Sequence, residues 1–115
     1  MTNELDNYYL KHPEPIQGCL LALRDFILSV NKDITHIRRY QIPFFYYKDK
    51  QLAFLWVTRK KLLLGLIEDK NIHPKMEGVK LKDKIQTIEI DPTIDLPIDT
   101  ILGNLHTLIR LYDKL

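Results

Sequence analysis

The sequence predicts one α+β domain spanning residues 1–115, in which a small, mostly antiparallel five-stranded sheet is flanked by an N-terminal and a C-terminal amphipathic helix. Three observations predict it. Apolar residues recur at three- and four-residue intervals near both ends of the chain, which places each set on one stripe of a helix. Between these segments the spacing changes and β-branched, aromatic and leucine-rich runs take over. Short polar breaks separate the middle runs, as hairpin connections do.

The first stripe comprises Ile16, Cys19, Leu20, Leu23, Phe26, Ile27 and Val30, and predicts a helix over residues 15–30. Pro13 and Pro15 mark its start, because proline is tolerated in a first helical turn. Leu5, Tyr8 and Tyr9 predict a short leading helix before them. The closing stripe is Ile98, Ile101, Leu102, Leu105, Leu108, Ile109, Tyr112 and Leu115, opened by Asp95, Pro97 and Asp99 as an acidic, proline-containing first turn. Strands are expected over residues 34–40, 44–48, 52–58, 62–67 and 85–90. Residues 48–51 and 58–61 are the hairpin breaks, which makes the middle strands a meander. Residues 69–84, with Pro74 and Gly78, read as an irregular connection.

Composition removes several function classes. A chain of 115 residues buries roughly two-thirds of its unfolded surface, so a core forms without staples. The single cysteine, Cys19, has no intramolecular partner and reads as a small core residue. The first residues lack the basic start and apolar stretch of a secretory signal, and no apolar run approaches the ~20 residues of a membrane span. The expectation is therefore a cytoplasmic protein with no membrane partner. A net charge of +2 argues against a nucleic-acid binder, which concentrates a larger positive excess. His12, His36, His73 and His106 sit in different elements without the i, i+4 spacing of a helical metal site. Neither Cys19 nor Ser29, the only serine, occupies a nucleophile elbow, and the four glycines are too scattered for a phosphate loop. The expectation is a non-enzyme without a cofactor.

Charge is unevenly spread. Residues 32–61 carry eight Lys/Arg against Asp33 and Asp49, a local +6, which includes Arg59, Lys60 and Lys61. Residues 85–99 hold Glu89, Asp91, Asp95 and Asp99 with no basic residue. Within the basic stretch, aromatic rings are interleaved with guanidinium groups, a pairing that holds an anion by charge and a planar group by stacking. The candidate ligand-binding residues are Arg38, Tyr40, Phe44, Tyr46 and Trp56. Strand alternation supports the site: Leu52, Phe54 and Trp56 share one face of a central strand, and Ala53, Leu55 and Val57 the other. Two helices cover one face, leaving aromatic residues on the other to meet a loop, a second subunit in a homodimer, or a ligand. The reading is a binding domain for a small anionic ligand or a protein partner.

Residues 36–66 also resemble the YdhG-like family of small bacterial domains. The matching features are the Y-x-x-P-F pattern at Tyr40, Pro43 and Phe44, the L-G-hydrophobic strand end at Leu64, Gly65 and Leu66, and a helix at each end. The chain departs from the family pattern at His36, Asp69 and Gln86. The resemblance implies a helix–sheet–helix sandwich with no catalytic signature, and some members are described as frataxin-like iron chaperones. That alternative makes iron the ligand and dispersed carboxylates its holders: Glu89, Asp91, Asp95 and Asp99, since hard cations prefer oxygen donors.

Overall fold

The computed structural model describes residues 4–59, 61–72 and 77–114, with the side chain of Glu4 excepted. Lys60, His73, Pro74 and Leu115 lie outside the described residues, as do the first three. The α+β class is as the sequence predicts. Helices α1 (Glu4–Leu10) and α2 (Ile16–Val30) precede five strands, β1 (Ile34–Arg39), β2 (Ile42–Tyr47), β3 (Lys50–Thr58), β4 (Lys61–Glu68) and β5 (Lys84–Ile90), and helix α3 (Ile98–Asp113) follows. The strands pair in sequence order, every neighbour antiparallel, so β3 is central. The described part of the connection after β4 contains a short 3-10 turn, Lys70–Ile72.

The helix–sheet–helix order is one of sequence rather than of layers. Leu20, Leu23 and Ile27 of α2 and Ile101, Leu105, Ile109 and Tyr112 of α3 belong to one core with Phe45, Leu55, Leu62 and Leu64 of the sheet. Both long helices therefore cover the same face. Of the closing stripe, Ile98 departs from expectation and is exposed. Periodicity specifies a helix face, not the point along the axis at which the sheet begins to cover it.

A β-bulge changes the expected alternation in β3. Phe45 pairs with Ala53 and Tyr46 with Gln51, so Leu52 is the extra residue. Leu52 was expected beside Phe54 and Trp56. Instead it is fully buried in the helix-side core with Ala53 and Leu55, because a bulge re-aims the side chain at the inserted position. Tyr112 stitches α3 to the sheet at this irregular end. Its hydroxyl accepts from the Asp69 amide at 3.0 Å and lies 2.8 and 2.7 Å from the carbonyls of Gln51 and Ile67. Desolvation pushes the Tyr112 hydroxyl up to about 12, so it stays a donor throughout the physiological range. The Asp69 carboxylate, 2% exposed, accepts from the amides of Gln51 and Asn71.

Helix α1 is anchored by two buried tyrosines. The Val57 amide donates to the Tyr8 hydroxyl at 3.0 Å, and the Tyr9 hydroxyl lies 2.7 Å from His36 Nε2. His36 stacks on Phe45 with ring centroids 4.7 Å apart. Burial, reinforced by the Arg24 charge, lowers the His36 pKa from 6.5 to about 4. The neutral ring accepting from Tyr9 is thus the folded form, whereas the unfolded chain takes up a proton near pH 6.5. Because the unfolded state binds more protons between pH 4 and 6.5, stability falls as pH drops through that window. The loss should reach roughly 2 kcal/mol, the shift being tempered by partial exposure. Urea unfolding across this range should show that slope in the wild type and lose most of it in His36→Gln, which keeps an acceptor for Tyr9 without titrating. An unchanged slope in the variant would remove His36 from the account.

Candidate functional site

The sheet face opposite the helices carries a second, smaller cluster: Phe44, Phe54 and Ile67 are buried, with Ile42 and Tyr46 packed against them. Among the described residues it is built from strand residues alone. Phe44 and Phe54, cross-strand partners, stack with centroids 5.4 Å apart. Gly65 is the next residue across, and a Cβ there would lie 2.1 Å from the Phe54 ring, so the ring rests on the bare glycine backbone. Around this floor stand the exposed rims Ile37, Trp56 and Ile85, with Tyr40 at 71% exposure.

The β1–β2 connection determines which side chains reach this face. Arg39 pairs with Ile42, leaving a two-residue turn of Tyr40 and Gln41, both left-handed at φ 54° and 65°. Two positive φ values define the hairpin turn whose twist matches its strands, normally occupied by Asn-Gly. Pro43 fits within β2 because the closing pair of such a hairpin is hydrogen-bonded, which turns the proline nitrogen of the next pair away from β1.

Since paired residues share a face, Ile37 and Arg39 lie with Phe44, and Arg38 lies with Pro43 on the helix side. The structure therefore separates the five expected site residues. Tyr40, Phe44, Tyr46 and Trp56 share the open face, and Arg38 does not. It lines a cleft on the other side with Asn7, Tyr8, Lys11 and Gln41.

Arg39 takes the place that Arg38 was expected to fill. Its guanidinium donates to the hydroxyl of Tyr46 and, at 3.1 Å, to that of Tyr40. It lies 4.9 Å from the Tyr40 ring centre and 5.9 Å from those of Phe44 and Tyr46. The hydrogen bond to Tyr46 raises its pKa further, so the charge is permanent. No carboxylate among the described residues forms an ion pair with it. A guanidinium has five donors and these phenols use two, so a fixed cation retains donors for an incoming anion. Tyr40–Phe44 and Phe44–Tyr46 contacts at 5.7 and 6.5 Å complete the cluster, and Trp56, outside these ring contacts, extends the face along β3. Sequence reasoning missed Arg39, Phe54 and Gly65. Counting alternation outward from a two-residue turn would have found the first, and a glycine inside a strand signals the close approach of the other two.

The acidic residues fall elsewhere. Glu89 stands opposite Lys61 at 3.8 Å, the Asp91 carboxylate accepts from the amide and hydroxyl of Thr93, and Asp99 occupies the first turn of α3, where it complements the helix dipole. Asp95 is exposed in the loop between. Among the described residues no group of three His, Cys, Asp or Glu side chains is placed to hold a metal ion. No helix among them is long and apolar enough to cross a membrane. Comparison of the chain with protein-family models, curated proteins and solved structures returns no match.

Proposed function

We propose that this chain is a non-catalytic binding domain that takes a small anionic ligand with a planar body on the sheet face opposite its helices. One observation carries the reading: Arg39 is held by two phenol hydroxyls and three rings, without a carboxylate partner among the described residues, at the rim of an aromatic floor. The remaining guanidinium donors suit the anion, and Tyr40 and Trp56, both exposed, suit the planar portion. Backbone strain supports the same place. Tyr40 adopts a left-handed conformation costing on the order of 1 kcal/mol while its ring remains largely exposed, so burial does not account for a tyrosine there.

The test uses benzoate as an aromatic carboxylate probe, read by thermal shift and by titration. Benzoate should raise the melting temperature of the wild type, and added salt should erode the effect. Arg39→Gln should weaken binding roughly 10- to 100-fold, the worth of a charge-assisted contact, while changing stability by less than about 1 kcal/mol. Arg38→Gln should leave benzoate binding intact. Loss of binding in Arg38→Gln alone would overturn the face assignment. Should no anion shift the protein while anaerobic Fe(II) does, and should Glu89→Gln with Asp91→Asn abolish that shift, the iron-carrier reading replaces this one.

A further inference from the structure

The second left-handed residue of the turn leads to a different place. Tyr40 stands on the open face, but Gln41 lines the helix-side cleft, of about 300 Å³, with Asn7, Tyr8, Lys11 and Arg38. Such a turn favours glycine at its second central position, and Gln41 holds φ 65° at a cost that glycine would avoid. What the strained position adds is a glutamine at the cleft.

The other walls are fixed by the docking of α1. Lys11 directly follows α1 and its amide donates to the Asn7 carbonyl at 3.0 Å, which continues the helical turn that begins at Asn7. The Tyr8 hydroxyl accepts from the Val57 amide, which holds its ring, and Lys11 Nζ lies 4.7 Å from that ring's centre. The ammonium is thereby positioned by a neutral ring. Arg38, on the helix side of β1, lines the cleft as well. Lys11, Arg38, Asn7 and Gln41 thus line one cleft together with Tyr8. From this convergence of Lys11, Arg38, Asn7 and Gln41 on one cleft, we infer a second binding site, on the helix side of the β1–β2 hairpin, for the phosphate group of a small soluble phosphate monoester.

The chemistry is specific to an oxyanion with several acceptor oxygens. Lysine supplies a compact charge, arginine a planar fork, and the amide nitrogens of Asn7 and Gln41 supply neutral donors for the remaining oxygens. The site lies across the sheet from Arg39, so it is independent of the aromatic face.

Inorganic phosphate is the first probe, titrated into the full chain against chloride at matched ionic strength and followed by NMR at the Lys11 and Gln41 amides. Saturable shifts are expected with phosphate and not with chloride. Lys11→Gln should weaken phosphate binding at least 5-fold, as should Arg38→Gln, and Arg39→Gln should leave it within 2-fold. Gln41→Gly separates the site from the fold: it should raise the melting temperature by relieving the left-handed strain while weakening phosphate binding. Glycerol phosphate should bind at least as well as inorganic phosphate. Absence of saturable shifts, equal affinity in the wild type and Lys11→Gln, or unchanged binding in Gln41→Gly would overturn the proposal. Sedimentation with phosphatidate vesicles, combined with no response to glycerol phosphate, would overturn the assignment to a soluble ligand.

Discussion

Leu105→Asp should leave the chain without a cooperative thermal transition, while His106→Ala, one residue along, melts within about a degree of the wild type. Leu105 is fully buried in the core shared by both helices and the sheet, and His106 is exposed on the outer side of α3. Removing the leucine forfeits the ~1.5–3 kcal/mol of a fully buried aliphatic side chain. The aspartate then either remains charged in an apolar interface or takes up a proton at the expense of folding, adding several kcal/mol more. Set against a total stability of ~5–15 kcal/mol, the sum approaches or exceeds what a domain of this size holds in reserve. Circular dichroism melts of the two variants decide the matter. Comparable melting of both would mean that α3 presents a different side to the sheet.

Much of this architecture is legible from the sequence because both helices carry strict stripes. Ile101, Leu105, Ile109 and Tyr112 fall at four-, four- and three-residue intervals, and all are buried. The meander is legible because residues 48–51 and 58–61 leave no room for a crossover. The site is less so, and the reason is the period of a strand. A slip of one residue exchanges the two faces of a sheet, so Arg38 and Arg39, adjacent and chemically alike, end on opposite sides. Reading Pro43 as part of the turn, rather than as the second residue of β2, obscures the count that distinguishes them. The bulge at Leu52 has the same effect in β3, since an inserted residue restarts the alternation without any mark of its own in the sequence. The carboxylates show a complementary limit. Glu89, Asp91, Asp95 and Asp99 are close in the chain, yet β5, the following loop and the start of α3 commit at least three of them to local partners: Lys61, Thr93 and the helix dipole.

The floor of the aromatic face allows a prediction in which two damaging substitutions partly cancel. Gly65→Ala places a Cβ 2.1 Å from the Phe54 ring, a separation that real contacts do not reach, so the ring must leave its place against Phe44. Overpacking of this kind costs typically ~1–3 kcal/mol, and here it also dislodges one of the three buried residues of the smaller cluster. Phe54→Ala alone should cost about 3 kcal/mol, the usual effect of truncating a buried ring. In the double variant the methyl group introduced by Gly65→Ala enters space that the ring has vacated. Alanine also lacks the conformational freedom that penalises glycine within a strand by roughly 0.5–1 kcal/mol. The pair should therefore be no less stable than Phe54→Ala alone, giving a coupling of about 2 kcal/mol in a double-mutant cycle measured by urea unfolding. Both single variants should also lose benzoate binding, because Phe44 and the Arg39 guanidinium above it rest on the ring that has moved. Additive destabilisation would show that Phe54 does not lie over Gly65, and intact benzoate binding in Gly65→Ala would show that the aromatic floor is not the ligand's seat.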